Sequence, residues 1–111
     1  MKTIAAVTAL GALAHETRLE VFRLLARAGA EGLSVGKIAD ALGIEANGRL
    51  TFHLKELVGA GLASSRQEGR FVFYSTNYGA MNELLHYLTE DCCGGLGCSE
   101  IVAICNTESC A

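Results

Sequence analysis

The chain has 111 residues, of which 50% are hydrophobic, so its length allows one domain with one modest core. No apolar run reaches the roughly 18–20 residues that a membrane span needs. The N-terminus also lacks the basic start, continuous apolar core and cleavage site of a secretory signal. We therefore expect a cytoplasmic protein without a membrane partner.

The formal net charge of −3 is unevenly distributed. Residues 77–111 contain no Lys or Arg and five acidic residues, whereas residues 49–70 contain four basic and two acidic residues. The second segment is a weak electrostatic footprint for phosphates, and an ordinary solvated surface would show the same charges. The charge pattern therefore permits nucleic-acid binding without demonstrating it.

The first part of the chain predicts two helices, over residues 4–13 and 15–28. In the second of them, Leu19, Phe22 and Leu25 recur at helical spacing, and we expect all three to be buried. The two segments together provide apolar surface for the body of the domain.

Two further helices, joined by a short turn, follow in the pattern of a helix-turn-helix. The third helix begins after Ser34, a suitable N-cap, and ends before Gly43. Its apolar residues recur at i, i+3, i+4 and i+7: Val35, Ile38, Ala39 and Leu42. The fourth helix runs from Asn47, another capping residue, to about Ala60. Its apolar stripe is formed by Leu50, Leu54, Leu57 and Val58.

After the fourth helix the pattern changes period. Residues 62–67 and 71–76 are typical of strands, and the glycine between them, Gly69, suits a tight hairpin turn. A last amphipathic helix follows the hairpin. The predicted fold is therefore mainly α with a small β-hairpin wing (α+β), a winged helix-turn-helix. We expect a DNA-binding and dimerisation domain over residues 1–90 and a cysteine-rich tail over residues 91–111.

The outer face of the fourth helix is the predicted DNA-reading surface. Arg49 and Lys55 can reach phosphates or guanine, and Thr51 can bond a phosphate or an adenine edge. Phe52 is able to touch a thymine methyl or, alternatively, to pack against the wing or a neighbouring helix. His53 is equally suited to a structural hydrogen bond and to a phosphate contact. The predicted DNA contacts are Asn47, Arg49, Thr51, Phe52, His53, Lys55 and, on the wing, Arg66 and Arg70, whose alternative is plain solvation.

Apolar stripes on the first and last helices predict a homodimer. They are too large to leave exposed on a chain of this size unless both fold onto their own core. The predicted interface residues are Ile4, Val7, Met81, Leu84, Leu85 and Leu88. Paired last helices would place the two reading helices about 34–36 Å apart, one turn of double-stranded DNA.

The residues following the last helix carry three thiols within seven positions: Cys92, Cys93 and Cys98. In a reducing compartment such a cluster indicates ligands rather than disulfides. Arsenic(III) prefers three thiolates, whereas zinc usually takes four ligands. Glycines between the thiols allow the backbone to turn inward. Two further cysteines, Cys105 and Cys110, are possible extra ligands.

Several short motifs resemble the ArsR/SmtB family of metal-responsive repressors. They are residues 50–57 (LTFHLKEL), 60–62 (AGL) and 66–70 (RQEGR), followed by Tyr74, and the resemblance covers residues 15–78. It implies a homodimeric winged-helix repressor that leaves a palindromic operator when its inducer binds. The vicinal cysteine pair just past the last helix is similar to that of the arsenite-responsive members.

The sequence leaves several inducers open. Arsenite or antimonite is favoured by the ligand type and count, methylated arsenic would use fewer thiols, and cadmium or zinc also binds thiolates. The same cysteines suit a thiol-based redox sensor. No Ser/His/Asp order, phosphate loop or paired carboxylates indicate an enzyme, and no organic cofactor is expected.

Overall fold

The computed structural model describes residues 1–90, which form five α-helices and one three-stranded antiparallel sheet. In chain order the elements are α1 (Thr3–Leu13), α2 (Glu16–Ala28), β1 (Leu33–Ser34), α3 (Val35–Leu42), α4 (Gly48–Gly59), β2 (Ala63–Glu68), β3 (Phe71–Thr76) and α5 (Tyr78–Thr89). The predicted winged helix-turn-helix, with its helices, hairpin and last helix, is confirmed. The proposed tail over residues 91–111 lies outside the described residues.

Side-chain caps explain where the central helices begin. The Ser34 side chain accepts a hydrogen bond from the backbone N–H of Lys37 at the start of α3. The Asn47 side chain accepts from the N–H groups of Arg49 and Leu50 at the start of α4. Gly43 takes the left-handed conformation, with φ of 68°, and ends α3. Local chemistry therefore fixes the short turn between α3 and α4.

The wing is the β2–β3 hairpin, in which Glu68 pairs with Phe71 across a two-residue turn. Gly69, the first residue of this turn, has a φ of 61°, a conformation that glycine adopts without strain. The hairpin prediction is confirmed, with the first strand shifted by one residue. A third strand, β1, pairs with β3 through Leu33 opposite Tyr74. Its two residues are too few to show a strand period in the sequence.

The core lies between α2, α3, α4 and the sheet. The largest fully buried side chains are Val21, Leu25, Ile38, Leu50, Leu54, Leu57 and Leu62. The predicted stripe of α4 is thus confirmed, with Val58 half-buried beside it. The prediction that Leu19 is buried is wrong, since this residue is 44% exposed. Val21 is completely buried on α2 instead.

The first and last helices pack together at one end of the molecule. The hydroxyl groups of Thr3 on α1 and Tyr87 on α5 are hydrogen-bonded to each other. Helix α1 turns small residues inward, namely Ala6, Ala9 and Ala12. Among residues 1–90, no helix has the length and apolar character required to cross a membrane.

The apolar residues of this end divide into two groups. Ile4 and Val7 on α1 are 81% and 61% exposed, and Leu85 and Leu88 on α5 are each 54% exposed. In contrast, Leu84 is buried in the core of its own chain. Met81, on the same helix, is half-buried against that core. Leu84 is therefore covered within the single chain, and the interface over the other residues stays a prediction.

Candidate nucleic-acid interface

The outer face of α4 is polar because its leucines are used by the core. Arg49 and Lys55 are both exposed on this face. Thr51 is half-buried, and its hydroxyl donates to the carbonyl of Asn47 at 3.4 Å within the helix. Two cations and a hydroxyl on one side of a helix can make phosphate and base-edge contacts in a major groove.

Asn47, at the start of α4, caps the helix with its side chain. Asn47 was predicted both as a cap and as a DNA contact. Its side-chain oxygen lies 3.1 Å from the N–H of Arg49 and 3.3 Å from that of Leu50, so the oxygen is engaged in capping. Its amide nitrogen donates to Glu45 at 3.5 Å. The cap aligns the first turn, including Arg49, on the outer face.

His53 is turned inward, with only 7% of its surface exposed. Its Nδ1 accepts a hydrogen bond from Nε of Arg18 at 3.1 Å, and its ring lies 4.5 Å from that of His15. Burial lowers the pKa of His53 below its ordinary value of 6.5, as does the positive charge of His15, Arg18 and Arg49, while Glu56 opposes these effects. A buried, hydrogen-bonded imidazole fits the structural alternative for His53, while its contact with DNA stays a prediction.

Phe52 remains on the outer face and is 52% exposed. The guanidinium carbon of Arg18 lies 5.6 Å from the centre of its ring, within cation–π range. Phe52 therefore contacts the neighbouring helix α2 through Arg18, and its contact with a thymine methyl stays a prediction. Sequence reasoning missed Arg18, because a contact between residues 35 positions apart leaves no periodic signal.

The two arginines of the wing differ in how far they are engaged. Arg66 donates to the carbonyl of Glu31 at 3.1 Å, pairs with Glu68 at 3.0 Å and lies over the ring of Phe73. Arg70 is exposed beside the turn, with no hydrogen bond or ion pair among residues 1–90. Arg70 is therefore the cation of the wing that is free to reach a phosphate.

The predicted thiol ligands, Cys92, Cys93 and Cys98 with Cys105 and Cys110, lie outside the described residues. Within residues 1–90, no group of three or more His, Cys, Asp or Glu side chains is arranged to hold a metal ion. On α5, His86 and Glu90 form an i, i+4 pair, with 3.8 Å between nitrogen and oxygen.

Comparison with known proteins agrees with this geometry. A helix-turn-helix domain family matches residues 13–66, the segment from the end of α1 into β2. The transcriptional activator HlyU of Vibrio cholerae is 40% identical over 86 residues, which cover 75% of this chain and 76% of HlyU. A solved structure of reduced HlyU superposes with a TM-score of 0.61 at 35% identity, covering 78% of this chain and 90% of that one.

Two more distant structures share the fold. An ArsR-like transcriptional regulator from Rhodococcus has a TM-score of 0.67 at 24% identity, covering 92% of this chain and 91% of that one. A homodimeric winged helix-turn-helix domain from Mycobacterium bovis, described as a possible ArsR-family regulator, has a TM-score of 0.62 at 23% identity. The match covers 78% of this chain and 80% of that domain.

The chain belongs to the family of helix-turn-helix transcriptional regulators that includes HlyU. In this fold the leucines of α4 contribute to the core, and the cations Arg49 and Lys55 lie on the opposite face of the helix. The expectation of a DNA-binding transcription regulator, drawn from residues 15–78, is thereby confirmed.

Proposed function

We propose that this regulator is a homodimer that reads double-stranded operator DNA with α4 and the wing. The observation that carries the proposal is the two-sided character of α4. Its leucines are buried, with Leu54 and Leu57 at 0% and Leu50 at 2% exposure, while Arg49 and Lys55 are exposed. A helix anchored on one side and cationic on the other is suited to lie in a major groove.

The wing would contact the DNA backbone beside the reading helix. Arg70 is exposed at the tip of the hairpin and unengaged among residues 1–90. Arg66 is held by Glu31 and Glu68, so we expect it to brace the wing more than to bind phosphate. One free cation at a hairpin tip fits a phosphate or minor-groove contact.

Homodimerisation is supported by the exposed apolar residues of α1 and α5. Ile4, Val7, Leu85 and Leu88 are each more than half exposed in the single chain. Burying such a surface against a second copy is favourable, at roughly 25 cal/mol per Å² of apolar area. The Mycobacterium bovis domain of the same fold is homodimeric. Two-fold symmetry would match a palindromic operator.

We also propose that trivalent arsenic, or antimony, is the inducer and that Cys92, Cys93 and Cys98 bind it. The support is the chemistry of the donor set: three thiolates close together suit a soft, three-coordinate ion. They follow directly after α5, whose exposed face belongs to the proposed dimer surface. A ligand there would alter the dimer geometry and so lower operator affinity. About 2.7 kcal/mol of coupling gives a hundredfold loss.

The direction of regulation belongs to the same proposal. The resemblance to metal-responsive repressors favours repression, whereas HlyU is named an activator. Because the proposed thiol ligands follow α5 in the sequence, we expect inducer binding to release the regulator from its DNA. Reporter expression with and without arsenite, in cells with the gene deleted, distinguishes the two directions.

A thiol-based redox sensor is the second candidate. Its support is that one solved structure of HlyU is described as the reduced protein. In this chain all five cysteines fall within residues 92–110, so oxidation would act in the same segment. Thiol titration of the free and DNA-bound protein, before and after mild peroxide, separates a disulfide switch from a metalloid site.

DNA binding is tested with Arg70→Ala against a duplex enriched from a random-sequence library by the wild-type protein. We expect weaker binding to all duplexes and a salt dependence of log K flattened by about one, because one phosphate contact is lost. Arg27→Ala, an exposed arginine of α2, is the charge-matched control. An unchanged affinity and slope in Arg70→Ala would rule out the role of the wing.

Inducer binding is tested by X-ray absorption of the reduced protein with arsenite, alongside operator affinity. We expect three sulfur neighbours around arsenic, and loss of both the signal and DNA release in the Cys92→Ser, Cys93→Ser and Cys98→Ser variants. Cys110→Ser is the control. Operator affinity that is indifferent to arsenite under reducing conditions would contradict the sensor proposal.

A further inference from the structure

One side chain from outside the reading helix holds two residues of that helix. Arg18 lies on α2 and is half-buried against α4. Its Nε donates to Nδ1 of His53 at 3.1 Å, and its guanidinium lies over the ring of Phe52 at 5.6 Å. The planar head of an arginine can serve both contacts at once, because the hydrogen bond lies in its plane and the ring packs on its face.

The imidazole that receives this hydrogen bond is itself fixed. His53 is buried, and the ring of His15 packs against it at 4.5 Å. His15 in turn caps α2, its Nδ1 accepting from the N–H of Thr17. The acceptor for Arg18 is therefore part of the rigid α2–α4 contact, and the guanidinium position is set by the fold.

The position of Arg18 affects Phe52, whose apolar ring lies on the polar outer face of α4. A phenylalanine on an open helix surface would exchange between rotamers, and binding would have to pay the entropy of fixing it. The guanidinium carbon of Arg18 lies 5.6 Å from the ring centre, and this cation–π contact favours one orientation of the ring while 52% of the residue stays exposed. The apolar group that a major groove offers to such a ring is the thymine C5-methyl.

The geometry points to Arg18 as a positioning residue that orients Phe52 for contact with a thymine methyl in each operator half-site. This inference rests on the proposed DNA-reading function and extends it to a base type. The recognition surface is then built from two helices, since α2 supplies the support and α4 the contacting ring. Arg18 determines base preference without touching the base.

The test is a thymine-to-uracil scan, since uracil lacks the methyl group and keeps the base-pairing edge. The full chain, reduced and without metalloid, first enriches a duplex of about 30 base pairs from a random library. Each thymine of that duplex is then replaced in turn. We expect one position per half-site where the wild type loses about fourfold in affinity, the worth of one buried methyl.

Variants assign the effect to the two residues. We expect Phe52→Ala to be insensitive at that position and Arg18→Gln to lose less than about twofold there, because the ring is no longer held. Arg18→Lys keeps the charge but lacks the planar donor, so overall affinity and salt slope should remain while the uracil sensitivity falls. Arg23→Gln, an exposed arginine on the same helix, should retain the wild-type pattern.

The outcomes separate the possible failures. If the wild type enriches no sequence, the proposed function fails and this inference with it. If a sequence is enriched but Arg18→Lys and Arg18→Gln keep the full uracil sensitivity, only the role of Arg18 is overturned. A uniform loss of affinity with an unchanged uracil pattern would mark Arg18 as merely structural and would also overturn it. Thermal unfolding confirms that each variant is folded.

Discussion

At the scale of single residues, burial decides which polar side chains are free to act. Lys55 and His53 lie two positions apart on α4, yet one is exposed and the other is buried and hydrogen-bonded. Similarly, Arg70 in the turn of the wing is exposed, whereas Arg66 on β2 is bound by a carbonyl and a carboxylate. Residue type alone places all four among the predicted DNA contacts, with a structural hydrogen bond as the alternative for His53 and solvation for the two arginines.

Because His53 is buried, we expect the free energy of unfolding to depend on pH. The pKa of His53 is lowered in the folded protein, mainly by burial, from its ordinary value of 6.5. Above that value both states are neutral; as the pH falls below it, the unfolded chain binds the proton first, so the free energy of unfolding decreases. Urea unfolding midpoints at about pH 7.5 and about pH 5.5 measure this loss.

The control for this prediction is His53→Gln, which keeps an acceptor for Arg18 but does not titrate. We expect its midpoint to depend less on pH than that of the wild type over the same interval. Equal pH dependence in the two proteins would show that His53 does not carry the effect.

At the scale of elements, the backbone at Gly32, before the helix-turn-helix, lies close to the backbone of Tyr74 in the wing. Strand β1 pairs with β3, which places the loop before it directly against Tyr74. A Cβ on Gly32 would lie 2.3 Å from the carbonyl oxygen of Tyr74, and the φ of this glycine is 75°. Both the space and the backbone conformation therefore require glycine there.

Replacing that glycine should destabilise the fold. We expect Gly32→Ala to lower the free energy of unfolding by about 1–3 kcal/mol from backbone strain, and further through displacement of β3. Gly59→Ala is the matched control, because a Cβ at Gly59 meets nothing within 4 Å. Helix propensity predicts that this variant is unchanged or gains up to about 1 kcal/mol. Chemical denaturation measures both, and equal stabilities would contradict the argument.

At the scale of the whole molecule, α1 and α5 expose apolar surface at Ile4, Val7, Leu85 and Leu88, whereas α4 exposes the cations Arg49 and Lys55. The α1–α5 end is tied together by the hydrogen bond between Thr3 and Tyr87. A dimer formed through this end would leave both reading helices accessible, as a two-fold regulator of palindromic DNA requires. The proposed inducer residues follow α5 in the sequence.

Charge at this end should dissociate the dimer. We expect Ile4→Glu and Leu88→Glu each to raise the dimer dissociation constant by about tenfold or more, since burying an unpaired carboxylate costs at least 1.4 kcal/mol. Both positions are exposed in the single chain, so the fold should persist. Sedimentation velocity measures the association, and Leu19→Glu, exposed on α2, is the control. Unchanged dimerisation in both variants would place the interface elsewhere.

The sequence by itself determined the helices, their caps and the hairpin, and with them the family. These features depend on interactions within a few positions, such as the Asn47 cap, the α4 leucine stripe and the Gly69 turn. Local periodicity and turn chemistry act within one element, and therefore remain visible in a linear string.

Only the tertiary structure decided which face of each element is buried within the chain and which face is left exposed. It paired Leu33 with Tyr74, buried Leu84 while leaving Leu85 exposed, and brought Arg18 to His53 across 35 positions. Such contacts depend on how elements pack against one another, and residues far apart in sequence carry no shared period. The proposed DNA-reading face therefore depends on the packing of α2 against α4, which the sequence pattern of α4 alone does not contain.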